Sequence, residues 1–351
     1  MGGGVRISGA ALELPGGVTV RFMRTLRLPE QGTHPLPPGL GAFPLRRVSD
    51  FAGRAPEQWR ARGGVLLPVH QREAMWLSFS SAVPAALQVG VGKVCAVSGR
   101  PWSDRLSRDP QNYVVLPRQP WLDGINSGAG TIRQFVAVPL GLGATVEGQV
   151  SGAEVWGGVQ LQVFGLRDEP LARWRAEQSR RAVSTSGLWG VSASAAAGHG
   201  GAPAFPPSAP GAGPVPPPAP TAARSAPAMG LGAGGRMHQE VYGDDRPLDD
   251  WRTEPSGRVF AHLATAPQWR AITGEPAPPS PVDRAAYNAA GLPWFDYYDA
   301  EGDDLPAAGP LAGVKPVGDW LGDDEQPWVP PAPTQITHLG DDSGRVTDGE
   351  W

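Results

Sequence analysis

Residues 75–164 carry the densest hydrophobic pattern of the chain, as short β-type segments that Gly or Pro interrupts. In three of these segments, 131–138, 144–150 and 159–164, apolar and polar residues alternate. Period-two alternation places apolar side chains on a dry face and polar ones on a wet face, which is typical of antiparallel sheets. The polar positions are Arg133, Thr145, Glu147, Gln149, Gln160 and Gln162. We therefore predict a mainly β fold, either an antiparallel sandwich or a closed barrel.

Further elements follow from the same pattern and from local signals. Additional strands are predicted over 17–28, 64–69, 75–79, 87–97, 113–116 and 257–264. Short and amphipathic helices are predicted over 56–62 and 166–182, the second rich in arginine. A last helix is predicted with Ser280 as N-cap, Pro281 at its first position, Asp283 in the capping box and Gly291 just past its end.

Composition divides the chain into four parts. With 48 Gly and 40 Pro among 351 residues, long segments lack the apolar side chains that offset the entropy of ordering. We predict a β-rich domain over 4–182 that ends in the basic helix, and a disordered Ala/Gly/Pro/Ser linker over 183–228. A small Pro/Gly-rich α+β segment over 229–300 and a flexible acidic tail over 301–351 complete the prediction.

The net charge of −4 conceals two halves of opposite sign. Residues 1–238 contain 23 Lys and Arg against 13 Asp and Glu, whereas residues 239–351 contain 7 against 21. Opposite charges of this size attract, so we expect the two halves to dock on each other, within one chain or between copies. The expected partner is therefore a protein, either another copy of this chain or a different one. Nucleic-acid binding is not expected, because the acidic half would compete with phosphate for the basic half.

Several function classes find no support in the sequence. Cys95 is the single cysteine, lies in an apolar run and is expected to act as a small core residue. His70 and Glu73 are predicted to form a polar turn, and the Gly-rich segment 230–235 lacks the preceding strand of a dinucleotide site. We therefore expect no metal and no cofactor. The longest apolar run is too short to span a bilayer, so we expect a soluble, cytoplasmic protein.

One loop carries an unusual set of polar and aromatic side chains. Planar amides, a carboxylate and large rings can hold a sugar, a peptide or another polar ligand. The alternative is that Trp121 closes the end of the sandwich and Asp123 makes a turn. The candidate ligand-binding residues are Gln111, Asn112, Tyr113, Gln119, Trp121, Asp123, Asn126 and, beside the loop, Arg133.

In the acidic half, tryptophan repeatedly follows carboxylates. Trp251, Trp320 and Trp351 each come directly after Asp or Glu. Such a residue can place its ring in a pocket while the carboxylates meet a basic rim, so the three are candidate docking residues. The alternative is that the acidic residues only keep the chain soluble.

The chain also resembles an uncharacterised family of bacterial and some fungal proteins. The likeness rests on MWLSF, KVCAVSG, QNYVV, QPWLDGI, IRQFVAVPLG, TVEGQVSG and GGVQLQVF, and segments before and after this block look like parts of the same pattern. It covers most of the chain except the linker and the last fifty residues, and it implies no activity.

The sequence favours a non-enzymatic binding or assembly protein. In this interpretation the acidic C-terminal half docks on the basic β domain, in cis or between copies. The alternative is an enzyme or a lectin-like module that uses the loop from Gln111 to Asn126.

Overall fold

The computed structural model describes residues 4–128, 130–186, 228–279, 281–296, 303–322 and 328–339. Most of the predicted linker and Trp351 lie outside these residues. The described chain is mainly antiparallel β, as predicted, and no helix in it is both long and apolar enough to cross a membrane.

Nineteen strands are present in the described residues. In chain order they are β1 (Arg6–Ser8), β2 (Ala11–Leu14), β3 (Val18–Thr25), β4 (Thr33–His34), β5 (Gly39–Ala42), β6 (Arg46–Arg47), β7 (Val65–Val69), β8 (Ala74–Ser81), β9 (Ala85–Val91), β10 (Val94–Cys95), β11 (Val114–Leu116), β12 (Trp121–Leu122), β13 (Gly124–Gly128), β14 (Thr131–Pro139), β15 (Val159–Gly165), β16 (Met229–His238), β17 (Gly257–Thr265), β18 (Trp294–Asp296) and β19 (Ile336–His338).

Seven α-helices accompany these strands in the described part of the chain. They are α1 (Glu57–Arg62), α2 (Val146–Ser151), α3 (Asp168–Ser186), α4 (Ala266–Thr273), α5 (Arg284–Ala289), α6 (Gly309–Ala312) and α7 (Gly318–Leu321). The helix α3 begins a second unit of the chain and is supported by exposed ion pairs between Glu169 and Arg173 and between Glu177 and Arg181.

Twelve of the first seventeen strands form two runs of paired strands that share one core. One run follows the order β1–β2–β3–β8–β14–β16, and the other follows β6–β7–β17–β15–β9–β11. Among the strands of the described residues, the two runs pair with each other at Met229↔Leu263 alone. Side chains from both runs, such as Phe22 and Leu161, belong to the same hydrophobic cluster, as expected for a sandwich-like fold. Pairing is antiparallel except for β4 with β16 and β7 with β17 in this sheet.

The C-terminal strands correct the predicted separation of residues 229–300 from 4–182. β16 pairs along its whole length with β14, and β17 pairs with both β15 and β7. Its glycines allow β16 to pack closely, since a Cβ on Gly235 would lie 2.1 Å from the carbonyl oxygen of Pro29. Residues 229–265 therefore belong to the same sheet as the strands before residue 166.

Three further predictions are wrong in the described residues. Residues 144–150 were predicted as a strand, but Val146 and Val150 also fit helical i, i+4 spacing, and the Thr145 side chain caps α2 by accepting from the Gly148 N–H. The helix α5 begins after Asp283 as its N-cap rather than after Ser280, although Gly291 has the expected positive φ of 68°. Residues 303–322 of the predicted flexible tail pack on the sheet through buried apolar side chains, including Leu311 and Val317.

The predicted wet faces of β14 and β15 are also buried. Arg133 and Gln160 are each 9% exposed and Gln162 is 0% exposed. The period-two alternation is real, but additional segments cover the polar face as well. Polar side chains inside the fold must then find hydrogen-bond partners, and those of the loop 111–126 define the first candidate site.

Candidate functional site

The loop 111–126, here called the amide loop, is bonded mainly to the chain's own C-terminal half. The Gln119 side chain donates from Nε2 to the carbonyl oxygen of Glu240 and accepts at Oε1 from the N–H of Tyr242, both at 3.1 Å. Gln111 donates to the carbonyl oxygen of Tyr242 at 3.1 Å and accepts from the N–H of Asp244 at 2.8 Å. Two side-chain amides thus supply the donors and acceptors that the segment 239–244 would otherwise find in a neighbouring strand.

Asp123 and Gln239 form a reciprocal pair at the beginning of this segment. The Asp123 N–H donates to Gln239 Oε1 at 2.9 Å, and Gln239 Nε2 donates back to Asp123 Oδ2 at 2.7 Å. The Asp123 side chain is buried, and loss of hydration raises the pKa of its carboxyl group to about 7, although the bond from Gln239 opposes this shift. The carboxyl group therefore holds its proton over most of the acidic range.

Trp251 lies in a buried cluster with Tyr113 and Asp244. Tyr113 Oη donates to Asp244 Oδ2 at 2.6 Å, and Trp251 Nε1 donates to the same oxygen at 2.8 Å. The two rings meet edge to face with centroids 6.4 Å apart, and Trp251 is 1% exposed. Burial, and then the contact with Asp244, raise the pKa of the Tyr113 hydroxyl. Arg108 completes the cluster 3.4 Å from Asp244.

The other predicted site residues have separate surroundings. Asn112 holds the neighbouring turn by accepting from the N–H of Ser107 and donating to the carbonyl oxygen of Arg105, and Asn126 donates to the carbonyl oxygen of Pro306. Trp121 in β12 is half-buried. Arg133 is paired in the sheet with Ile125 of the amide loop, but its side chain has other neighbours. Burial lowers the pKa of its guanidinium group, and the charges acting on that group are Arg236, Glu30 and Asp319.

Of the remaining docking candidates, only Trp320 lies in the described residues. It is 43% exposed, and its ring packs near Gly143. Trp351 lies outside the described residues, so its predicted role stays a prediction.

A small cavity adjoins the amide loop in the described part of the chain. The cavity bounded by Gln119, Trp121, Gln239 and Tyr242 has a volume of about 10 Å³. That is about enough for one water molecule. A sugar or peptide would therefore have to displace the segment 239–244 before it could contact these amides.

The residues considered for other chemistry have structural surroundings. Cys95 is 3% exposed, its Sγ donates to the carbonyl oxygen of Asn112, and burial raises the pKa of the thiol. Glu73 accepts from the His70 N–H in the predicted turn and pairs with Arg24 at 2.6 Å. Among the described residues, no group of three or more His, Cys, Asp or Glu is arranged to hold a metal ion.

A larger opening lies elsewhere, on the second run of strands. This aromatic–arginine cleft has a volume of about 810 Å³. Its aromatic walls are Trp102, Trp156 and Phe260, its buried amides are Gln160 and Gln162, and its charged rim comprises Arg6, Arg47, Arg62, Arg258 and Asp104. Sequence reasoning misses it because these residues come from six separated segments. The one available signal, the alternating glutamines of β15, also fits a solvated face.

Comparisons of the chain with protein-family models, with curated proteins and with solved structures find no match. The functional argument therefore depends on the geometry of the amide loop and of the cleft.

Proposed function

We propose that this is a non-enzymatic binding or assembly protein in which the acidic C-terminal half docks on the basic β domain, in cis or between copies. The observation that carries the proposal is the bonding of the amide loop to residues 239–244. Gln111 and Gln119 direct both ends of their amide groups to that backbone. Their hydrogen-bonding capacity therefore serves contact between the two halves.

The charge distribution supports the same proposal. Arg46 makes a two-pronged contact with Glu275 at 2.9 and 2.8 Å, and Arg108 lies beside Asp244. In both pairs the basic residue comes from the first half and the acidic residue from the second. The Arg46–Glu275 pair is partly exposed and such pairs stabilise weakly, so we assign it to the orientation of the two halves. Asp244 is buried, and we assign the affinity to its contacts with Trp251.

The alternative, an enzyme or lectin-like module that uses the amide loop, has less support. It would need space for a ligand beside Gln119 and Trp121, where the cavity is about 10 Å³. It would also need the segment 239–244 to leave, which would unpair the buried amides.

The proposal can be tested by cutting the chain in the predicted linker, which leaves the acidic half on the C-terminal piece. We would insert a specific protease site between residues 201 and 220, cleave the folded protein, and follow the two pieces by size-exclusion chromatography. Because residues 239–244 bond to the amide loop and β17 pairs with β15 and β7, we expect the pieces to elute together at about 50 mM salt. We expect the same at about 500 mM salt, at which the Debye length is much shorter. Separation at the lower salt would contradict docking.

Two variants locate the contact. In the cleaved protein, Trp251→Ala should promote dissociation at every salt concentration, because it removes a buried ring and its bond to Asp244. Trp320→Ala, at an exposed tryptophan in the same half, is the matched control. Mixing the cleaved protein with a tagged cleaved copy then distinguishes docking in cis from docking between copies. Pieces should exchange readily between tagged and untagged protein only if docking occurs between copies.

A further inference from the structure

The aromatic–arginine cleft forms where two parallel strands begin at different levels. β7 pairs with β17 only from Ala261 to Thr265, so residues 257–260 of β17 extend beyond the start of β7. The turn before β7 passes very close to β17, since a Cβ on Gly64 would lie 2.1 Å from the carbonyl oxygen of Phe260. This offset leaves an opening whose floor is β15 and whose side is the end of α1.

The walls of the cleft present aromatic rings and a stacked guanidinium group. Arg62 Cζ lies 4.7 Å from the ring centroid of Trp156 and 5.3 Å from that of Phe260. Trp102 packs over β9 where Gly90 leaves room, because a Cβ there would lie 2.5 Å from its ring. Trp102 and Trp156 are only partly buried, so ring surface remains exposed to the cleft. Such surfaces stack favourably with flat ligands.

Gln162 supplies an unused acceptor at the floor. Its Nε2 donates to Gln88 Oε1 at 2.5 Å and to the carbonyl oxygen of Ser103 at 3.1 Å, which fixes the orientation of the amide. Its Oε1 is buried and has no hydrogen-bond partner among the described residues, although the side chain lines the cleft. A buried acceptor without a donor is unfavourable, and a ligand N–H or O–H group would satisfy it.

The rim of the cleft is cationic. Four arginines face one carboxylate, Asp104. Arg6 pairs with Glu13 at 3.3 Å and Arg258 lies 3.9 Å from Asp104, but within the described residues no carboxylate lies within 4.0 Å of Arg47 or Arg62. The nearby Glu147 is buried and accepts from the backbone N–H groups of residues 156 and 157. Arginines without such partners are well suited to bind an anion.

We propose that the aromatic–arginine cleft binds a small anionic molecule that combines a flat ring with an N–H or O–H donor. The ring stacks on the tryptophans, the donor meets Gln162 Oε1, and the anionic group meets Arg47 and Arg62. The volume of about 810 Å³ lies within the range of small-molecule sites. Two sources share this chemistry, namely nucleotides and aromatic carboxylic acids. The larger groove of about 1230 Å³ near Arg167 is lined without an aromatic side chain and lacks this combination.

The test is calorimetric titration of the full chain with adenosine 5′-monophosphate and with indole-3-acetate. Adenosine and inorganic phosphate serve as the separated parts of the first probe. We expect at least one of the two complete probes to bind. If adenosine 5′-monophosphate binds, adenosine and phosphate should each bind at least tenfold more weakly than it does. Binding of only one complete probe identifies the source of the ring and the anion.

Variants assign the binding to the cleft. Trp156→Ala and Arg62→Gln should each weaken binding at least fivefold, and both sites are partly exposed, which limits their effect on folding. Arg60→Gln, at an exposed arginine of the same helix α1 that does not line the cleft, should leave binding unchanged. If Trp156→Ala lowers the melting temperature, the effect of Arg62→Gln alone shows whether binding occurs in the cleft.

Three results would overturn the proposal. These are absence of binding by both complete probes at millimolar concentration, phosphate binding as tightly as the monophosphate (an adventitious ion only), and equal binding by the parent protein and Arg62→Gln. This test is independent of the cleavage experiment, so the cleft proposal can fail while docking stands.

Discussion

Asp123→Asn should make the protein more stable at neutral pH and leave it nearly unchanged at pH 4. Asp123 is 3% exposed, and Gln239 Nε2 donates to its Oδ2 at 2.7 Å, a bond that an asparagine oxygen can also accept. The substitution therefore replaces a buried carboxyl group by a neutral group of the same shape. It removes the need to ionise inside the fold.

The magnitude follows from the pKa of the carboxyl group, which burial raises from 3.8 to about 7. Because the folded pKa is the higher one, the contribution of this group to stability is complete below pH 4 and is lost as the pH rises to about 7. A difference of about three pKa units corresponds to about 4 kcal/mol. The variant should therefore exceed the parent protein by up to about 4 kcal/mol at pH 8.

His262 opposes this trend in the parent protein. Its ring stacks on Trp59 and contacts Phe260, and burial lowers its pKa from 6.5 to about 4. Since the folded pKa is depressed, this histidine contributes fully above pH 6.5, and its contribution is lost as the pH falls to about 4. The opposite pH dependences of Asp123 and His262 therefore nearly cancel in the stability of the parent protein. In Asp123→Asn only the histidine term remains, so the stability of the variant should rise between pH 4 and pH 7.

The assay is urea unfolding, followed by tryptophan fluorescence, at several pH values between about 4 and 8. Asp104→Asn, at a side chain that is 68% exposed, is the matched control and should change stability by less than about 0.5 kcal/mol throughout. The reasoning would be refuted if the difference between Asp123→Asn and the parent protein were the same at pH 4 and pH 8, because the carboxyl group would then not be protonated in the folded state.

Trp251→Ala tests the contact between the two halves, and Cys95→Ala tests whether the thiol is only a core side chain. In the intact chain, Trp251→Ala should lower the free energy of unfolding by about 3–5 kcal/mol, whereas Trp320→Ala should cost less than about 1 kcal/mol, as measured by urea unfolding. Cys95→Ala should cost on the order of 1 kcal/mol and leave any binding activity intact. Loss of ligand binding at unchanged melting temperature would instead indicate a functional thiol.

Local pattern was enough to predict the fold class and many elements. The alternation in 131–138 and 159–164, the strand 257–264 and the arginine-rich helix after residue 166 all have the predicted secondary structure. Each depends on the period of apolar residues or on turn signals within about twenty residues, and such signals act through nearby backbone geometry. The incorrect strand prediction at 144–150 shows the limit of local pattern. Val146 and Val150 fit both the strand period and the helical period, and the N-cap at Thr145 selects the helix.

Contacts between distant segments were beyond the reach of local pattern. That β16 completes the N-terminal sheet, that Gln111 and Gln119 bind residues 239–244, and that Gln162 lies at the floor of a cleft all depend on what covers each face. A glutamine on an alternating strand looks the same whether water or another segment lies over it. Burial is a property of the assembled chain, and it determines whether a polar side chain is solvated, bonded to distant backbone or available to a ligand.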